Sequence, residues 1–377
     1  MKVLITGGAG FIGSHTADAL LAAGHSVRAL DILDPQIHGE ARQRPAYLAP
    51  EVELQVGDVC NPDDVARALD GADAVYHFAA LTGVGQSMYD MTHYARVNAI
   101  GTTTLIEGIV KGGHALKRLV LSSSRAIYGE GSYVCAAHGE QFPAPRSRER
   151  LESGRFTMPC PVCGGDLDAM PTTEHKRSEP FSVYAITKKH QEDFVRYAAE
   201  TFGLPAVILR YFNVFGSRQS LKNPYTGVVS IFYSRICAGQ PISVYEGGLP
   251  VRDFVHVSDV VAANMRALVA DVPSGSTFNV GAGVASTIGD IANALARAVG
   301  KPVTMEDRGE FRVGDIFGCV ADLTRSRAEL GYAPACSLDQ GMAEFAGWAS
   351  GQPSEDRYQQ TVAELSRFGL FGRAKGG

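Results

Sequence analysis

No apolar run in this chain approaches the roughly 20 residues needed to span a bilayer. No signal-peptide pattern precedes the first strand-like segment. Charge of one sign is scarce: 35 Lys and Arg stand against 40 Asp and Glu, a net −5 over 377 residues. That balance leaves no basic patch and excludes nucleic acid as the expected partner. Seven cysteines, an odd number at uneven spacing, make no disulfide framework. Internal repeats and low-complexity linkers are absent as well. The chain is 45% hydrophobic and 20% charged, ample for one large core or a domain with a lobe. The expectation is a cytoplasmic globular enzyme with no membrane or nucleic-acid partner.

The most informative segment is the first thirteen residues. Lys2-Val3-Leu4-Ile5-Thr6 is a short apolar run, followed by Gly7-Gly8-Ala9-Gly10-Phe11-Ile12-Gly13 and an Ala/Leu-rich helical stretch. Glycines at Gly7, Gly10 and Gly13 let a diphosphate approach the backbone. A helix opening near Phe11 and Ile12 aims its free N–H groups and positive end at the phosphates. Asp31, closing the strand-like Ser26–Leu30, has the spacing of a carboxylate that binds a ribose 2′-hydroxyl. It would repel a 2′-phosphate, so the loop predicts NAD rather than NADP.

Apolar runs recur at Val52–Val56, Ala74–Phe78 and Arg118–Leu121. Helical stretches lie between them, one opened by Asn61-Pro62-Asp63-Asp64 and another over Val97–Val110. This alternation predicts an α/β fold with a doubly wound parallel sheet. Its ligand edge would carry Asp58, Phe78–Ala80 and Ser122–Ser124. From about Asn213 the pattern loosens into what reads as a smaller C-terminal substrate lobe. The expected organisation is therefore a dinucleotide-binding domain over 1–212, a substrate-binding lobe mainly over 213–350, and a frayed tail over 351–377. Residues 130–179, rich in Pro, Gly, Cys and charge, break the alternation as an insertion without helix periodicity.

Tyr184 and Lys188 follow that insertion, four residues apart and so on one face of a helix. An ammonium beside a phenol, with a nicotinamide cation, lowers the phenol's pKa toward working pH. The phenolate can then take a proton from a sugar hydroxyl while its carbon gives up hydride. Ser122-Ser123-Ser124, at a strand end some sixty residues earlier, offers a hydroxyl to share that proton.

The glycine loop, Asp31, Asp58, His77-Phe78-Ala79-Ala80, Asn98, the serine run before Tyr128-Gly129, and Tyr184-x-x-x-Lys188 together resemble the extended short-chain dehydrogenase/reductase family. Within it the chain is most similar to nucleotide-sugar 4-epimerases of the UDP-galactose 4-epimerase type. The resemblance implies a Rossmann domain in which Ser124 is the catalytic hydroxyl and Tyr184 the base. Lys188 would also hold the nicotinamide ribose. Asp58 and Val59 would sit at the adenine, and Phe78, Ala79 and Ala80 along the diphosphate and ribose. Asn98 and Ser122 would help position the cofactor. Asn213, in Arg210–Gly216, resembles the asparagine that touches the substrate diphosphate. Arg252, in Val251–Val260, resembles the arginine that pairs with a phosphate, and Arg312-Val313-Gly314-Asp315 the run that closes the nucleotide site. Arginine's planar fork suits phosphate oxygens. Family members usually pair through two long helices, here around His93–Lys111 and Ser182–Phe202, which implies a homodimer.

Two departures narrow the reaction. Sugar-nucleotide 4,6-dehydratases carry Thr-Asp-Glu where this chain has Ser124-Arg125-Ala126, so the acids for elimination are missing. Galactose epimerases commonly have a second hydroxyl where Ala126 stands. Arg125 beside it is unusually large, which points to a different sugar.

Inside the insertion, Cys135-Ala136-Ala137-His138 and Cys160-Pro161-Val162-Cys163 form two pairs separated by 21 residues, the spacing of a structural zinc site. Glycines Gly164 and Gly165 free amides to point at sulfur, and His175 is an alternative to His138 as fourth ligand. An Arg-Ala-Ile-Tyr-Gly strand followed by such an insertion is similar to bacterial dTDP-L-rhamnose 4-epimerase-like sequences, implying a dTDP-6-deoxyhexose substrate. The expected activity is NAD-dependent epimerisation of a nucleotide-diphosphate sugar at C4. Its rivals are a UDP-hexuronate or UDP-hexose 4-epimerase and a 4-ketoreductase, or, outside enzymes, a silent NAD-sensing scaffold.

Overall fold

The computed structural model describes residues 1–221, 223, 227–354, 356 and 358–375. Its frame is a seven-stranded sheet built from β1 (Lys2–Thr6), β2 (Ser26–Asp31), β3 (Glu53–Val56), β4 (Ala74–His77), β5 (Arg118–Ser124), β6 (Ala206–Tyr211) and β7 (Ser276–Val280). The order is β7-β6-β5-β4-β1-β2-β3 with every pair parallel. β1, β4, β6 and β7 bury every or nearly every residue, the pattern of strands covered by helices on both faces. Strand order reverses between β1 and β4, so the ligand crevice opens at their carboxyl ends, beyond Thr6 and His77.

Helix α1 (Phe11–Ala22) follows the glycine loop, and α2 (Val183–Phe202) is capped by the Ser182 hydroxyl and ended by Gly203 in the left-handed region. Asn61 caps the helix Pro62–Leu69 as its sequence signals require. The stretch expected as one helix from Val97 opens as a π-helical segment, Ala95–Ile100, before Gly101–Lys111 continues as α-helix.

Three features depart from the expected organisation, the first being β7, which belongs to the main sheet although 276–280 fall in the expected lobe. The insertion, expected within the dinucleotide-binding domain, joins the sheet of the lobe: its strands Ser132–Cys135, Gly139–Gln141 and Asp168–Thr172 complete a six-stranded sheet with Val251–Arg252, Ser286–Thr287 and Gly318–Ala321. Tyr133, Cys135, Met158, Cys160, Leu167 and Phe317 form a small apolar core there, which helical periodicity could not reveal. The segment after Trp348 is not frayed. Tyr358–Arg367 is a helix, and Phe371–Arg373 pairs antiparallel with Glu310–Arg312. Phe368 stacks on Tyr89 and Leu365 is buried, so a few apolar residues tether a polar segment. Residues 355, 357, 376 and 377 of that expected tail lie outside the described residues.

Candidate active site

A cavity of about 630 Å³ runs along the carboxyl edge of the sheet. Gly7, Gly10, Phe11, Ile12 and Gly13 line one wall. Gly7 has a φ of +71°, and a Cβ there would meet the Ala79 amide at 2.8 Å. A Cβ on Gly13 would strike the Gly7 carbonyl. The glycines thus serve both a close backbone approach and the packing of α1 against the turn. Asp31, Asp58 and Val59 line the far end, and Phe78, Ala79 and Ala80 the middle. Asp31 accepts the Ala9 amide at 3.0 Å and the Leu33 amide at 2.9 Å, one on each oxygen. Each oxygen keeps a further acceptor position for a hydroxyl. A cradle of this shape, with a carboxylate at the end of β2, fits a dinucleotide with a free 2′-hydroxyl.

Asn98 is brought near but does not line the cavity. It is fully buried, bonding the Leu81 amide and carbonyl and the Thr187 hydroxyl. It therefore holds the loop after β4, including the cavity residues Ala79 and Ala80, against the helix that carries Tyr184.

Ser122, Ser124, Arg125, Tyr184, Lys188 and Asn213 meet at the other end of the cavity. Ser124 closes β5 and accepts the Ala126 amide, a cap that orients its hydroxyl. Burial pushes the Tyr184 phenol up, and the Ser124 hydroxyl and the Arg125 charge partly offset that rise. Lys188 donates to the Ser122 carbonyl at 2.9 Å. Its burial pulls the ammonium down to about 7, against an upward pull from Glu192. The cluster is a phenol, a hydroxyl and a cation held dry together, which is the equipment for moving one proton.

Beyond this end lie Arg252, Arg312 and Asp315, which the structure does not place in the cavity lining. Arg312 forks onto Asp315 at 2.7 and 2.8 Å. Arg252 donates to the carbonyls of Val251, Ile316 and Phe317, and among the described residues no carboxylate pairs with it. Burial raises the Asp315 carboxyl, but Arg312, Arg252 and Arg125 together outweigh it and hold it below the usual range. The three arginines thus all act on one carboxylate, a cationic cluster next to the phenol and hydroxyl.

The family described as NAD dependent epimerase/dehydratase matches residues 3–148 and 161–281. The chain belongs to that family. It is 37% identical over 350 residues to a dTDP-L-rhamnose 4-epimerase of Burkholderia thailandensis, covering 92% of this chain and 94% of that one. A UDP-glucose 4-epimerase of Mycolicibacterium smegmatis is 32% identical over 349 residues, covering 91% and 97%. Among solved structures, a UDP-glucose 4-epimerase of Thermotoga maritima with UDP-glucose superposes at TM-score 0.75 with 28% identity, over 93% of this chain and 99% of that one. A Thermus thermophilus UDP-glucose 4-epimerase complexed with NAD superposes at 0.74, also at 28%, over 94% and 100%.

The break in the match to the epimerase/dehydratase family, residues 149–160, falls inside the insertion and takes in Cys160 of the Cys160/Cys163 pair. Those four residues converge: their ligating atoms all lie within 4.8 Å of one another. Cys135 Sγ is 3.4 Å from His138 Nδ1 and 3.9 Å from Cys163 Sγ, and Cys160 Sγ is 3.8 Å from the same nitrogen. A zinc tetrahedron with metal–ligand distances of about 2.0–2.3 Å has edges of about that length. Amides of Ala137 and Gly165 point at Cys135 and Cys163. Among the described residues, His138 rather than His175 completes the group.

Sequence reasoning passed over residues that the fold makes important. Glu192 lies on the helix of Tyr184 and Lys188, bonding Ser123 at 2.5 Å and both ends of the Arg210 fork at 2.9 Å. Its signal was present, since Lys188 and Glu192 are four apart on one helix face. Gln36 bonds both Gln86 and Asn223, all three lining the cavity, and polar residues on three separate segments leave no such signal.

Proposed function

We propose that this chain is an NAD-dependent nucleotide-sugar 4-epimerase acting through a 4-keto intermediate on a dTDP-6-deoxyhexose such as dTDP-L-rhamnose. The observation that carries the reading is the meeting of Ser124, Tyr184 and Lys188 at one end of a cavity whose other end has the glycine cradle and Asp31. Bound in that cradle, NAD supplies the acceptor and donor for the hydride at C4. Tyr184 takes the 4-hydroxyl proton and later returns it, with Ser124 sharing the proton through its hydroxyl. Arg125 favours the phenolate electrostatically, and Lys188 does so while it carries its proton. Asn213, Arg252 and Arg312 hold the diphosphate, with Asp315 fixing the Arg312 fork, while the sugar turns to offer its opposite face. Because cofactor is regenerated every cycle, it should stay with the protein.

A second reading, a UDP-hexuronate as substrate, draws on Arg125: a cation lining the cavity beside Tyr184 suits a C5 carboxylate. Purified protein incubated with a panel of dTDP-, UDP-, GDP- and CDP-sugars, without added NAD, separates the two. Conversion of dTDP-L-rhamnose supports the first reading, and conversion of a hexuronate alone replaces it. No conversion of any member refutes both.

The Cys135/His138/Cys160/Cys163 group is read as a structural zinc site. Four protein ligands fill the tetrahedron and leave no open position for catalysis. None of the seven cysteines is in a disulfide, in keeping with a reducing cytoplasm. No helix is long and apolar enough to cross a membrane among the described residues. The paired state is read as a homodimer through the two long helices, which leave Ile100, Ile186 and Tyr197 exposed. Light scattering at micromolar concentration should give the mass of two chains, and a monomer mass would refute it.

A further inference from the structure

Three of the four residues Asp315–Gly318 are gripped through their backbone by side chains of the insertion. Glu130, buried, accepts the Phe317 amide on both oxygens at 3.0 and 2.9 Å. Tyr133 bonds the Glu130 carboxylate and accepts the Gly318 amide at 2.8 Å. Arg146, also buried, donates to the Asp315 carbonyl at 3.2 Å and to Phe156 at 2.7 Å, and pairs with Glu246. The Phe317 ring is clamped as well, 5.2 Å beneath the Arg146 guanidinium and stacked on Tyr133. On the other side of the same run, the Ile316 and Phe317 carbonyls hold the Arg252 guanidinium at 2.7 and 3.1 Å. Two peptide units thus connect insertion side chains directly to an arginine that has no carboxylate partner among the described residues.

We propose that Glu130 and Arg146 are positioning residues for substrate binding: they fix the Asp315–Gly318 backbone, which in turn fixes Arg252 beside the Arg312–Asp315 pair. The inference rests on the reading that Arg252 binds the nucleotide diphosphate. It adds that this cation is aimed by the Cys/His insertion and not by the lobe that carries it. Arg252 sits on a strand only two residues long. With so short a strand to set its direction, its guanidinium depends on the carbonyls it meets. Tyr133 and Phe156 lie within a few residues of Cys135 and Cys160, so order at the Cys/His group passes to this run over a short path.

The test uses the full-length protein as purified. For each variant it reads bound NAD, affinity for dTDP or UDP (whichever the wild type binds), and KM and kcat on the sugar the wild type converts. Arg146→Met combined with Glu246→Gln removes the buried pair together, so no charge is left uncompensated. Glu130→Gln keeps the side chain's shape and carries the same test if the double change does not fold. The expected result is a nucleotide affinity and a KM worse by about ten- to a hundredfold, the scale of misplaced binding groups, with kcat and bound NAD unchanged. In an Arg252→Ala background the same changes should cost nothing further, because they act through one group. Folded variants with wild-type nucleotide affinity would overturn the proposal, and so would losses that simply add to that of Arg252→Ala. A wild type that binds neither nucleotide overturns the diphosphate reading itself, a failure seen before any variant is made.

Discussion

The two ends of the cavity are built differently. At the cofactor end, neighbours in sequence do the work: the glycine turn, the start of α1 and the ends of β2 and β4 fall at adjacent strand termini of a single sheet. Asp31 there is fixed by the Ala9 and Leu33 amides, one on each oxygen. At the other end, Arg125, Arg252 and Arg312 come from segments far apart in sequence, and the run whose carbonyls hold Arg252 is itself held by side chains of the insertion. The first end is a property of the fold. The second is assembled on it. The comparison implies that damage at one end should leave the other standing.

Tyr184→Phe should have the largest effect. Deleting one hydroxyl should lower turnover by at least about 10²–10⁴-fold, the usual contribution of a positioned acid–base group. Bound NAD and melting temperature should hold, because the ring remains. A variant at wild-type rate would remove Tyr184 from the chemistry.

Lys188 sharpens the contrast through pH. Burial brings its ammonium down to about 7 in the folded protein, well below the roughly 10.4 of an exposed lysine. Below pH 7 folded and unfolded chains both carry the proton, so the full cost of burying it is present. Between about pH 7 and 10 the unfolded chain binds the proton and the folded one does not, so stability rises with pH. Lys188→Met should abolish that rise, on the order of a few kcal/mol at roughly 1.4 kcal/mol per pKa unit. Melting temperatures of the two NAD-free proteins, compared from pH 6 to 10, check it; a constant difference would contradict it.

A milder break is expected from the metal. Elemental analysis should find about one zinc per chain, and Cys160→Ser should lose it. That variant should show new proteolysis between Glu130 and Glu179 and a KM raised by about tenfold, with NAD still bound. Metal-free wild type with a protease-resistant insertion would defeat the zinc reading. Loss of kcat with KM unchanged would place the metal nearer catalysis.

What was legible in the sequence follows the same division. Gly7, Gly13, Asp31 and the Tyr184/Lys188 pair could be read because their chemistry needs fixed short spacings on one element. Cys135, His138, Cys160 and Cys163 could be read because zinc imposes its own spacing. Glu130 and Arg146 could not, since a buried carboxylate that caps two amides some 187 residues away looks like a surface charge in a polar loop. The segment after Trp348 was misread for a related reason. Its composition is polar, and only the pairing of Phe371–Arg373 with the Arg312 strand and the stacking of Phe368 on Tyr89 give it a place. β7 hid in the expected lobe because Ser276–Val280 alternates in polarity, although every one of its residues is buried at the sheet's edge.

The central claim is that one protein-held dinucleotide takes a hydride from C4 and returns it to the other face. The direct measurement is conversion of dTDP-L-rhamnose deuterated at C4, by protein as purified and without added cofactor. The account predicts a C4 epimer that keeps its deuterium over many turnovers. Product that has lost the label, or conversion only when reduced cofactor is supplied in stoichiometric amount, would contradict it.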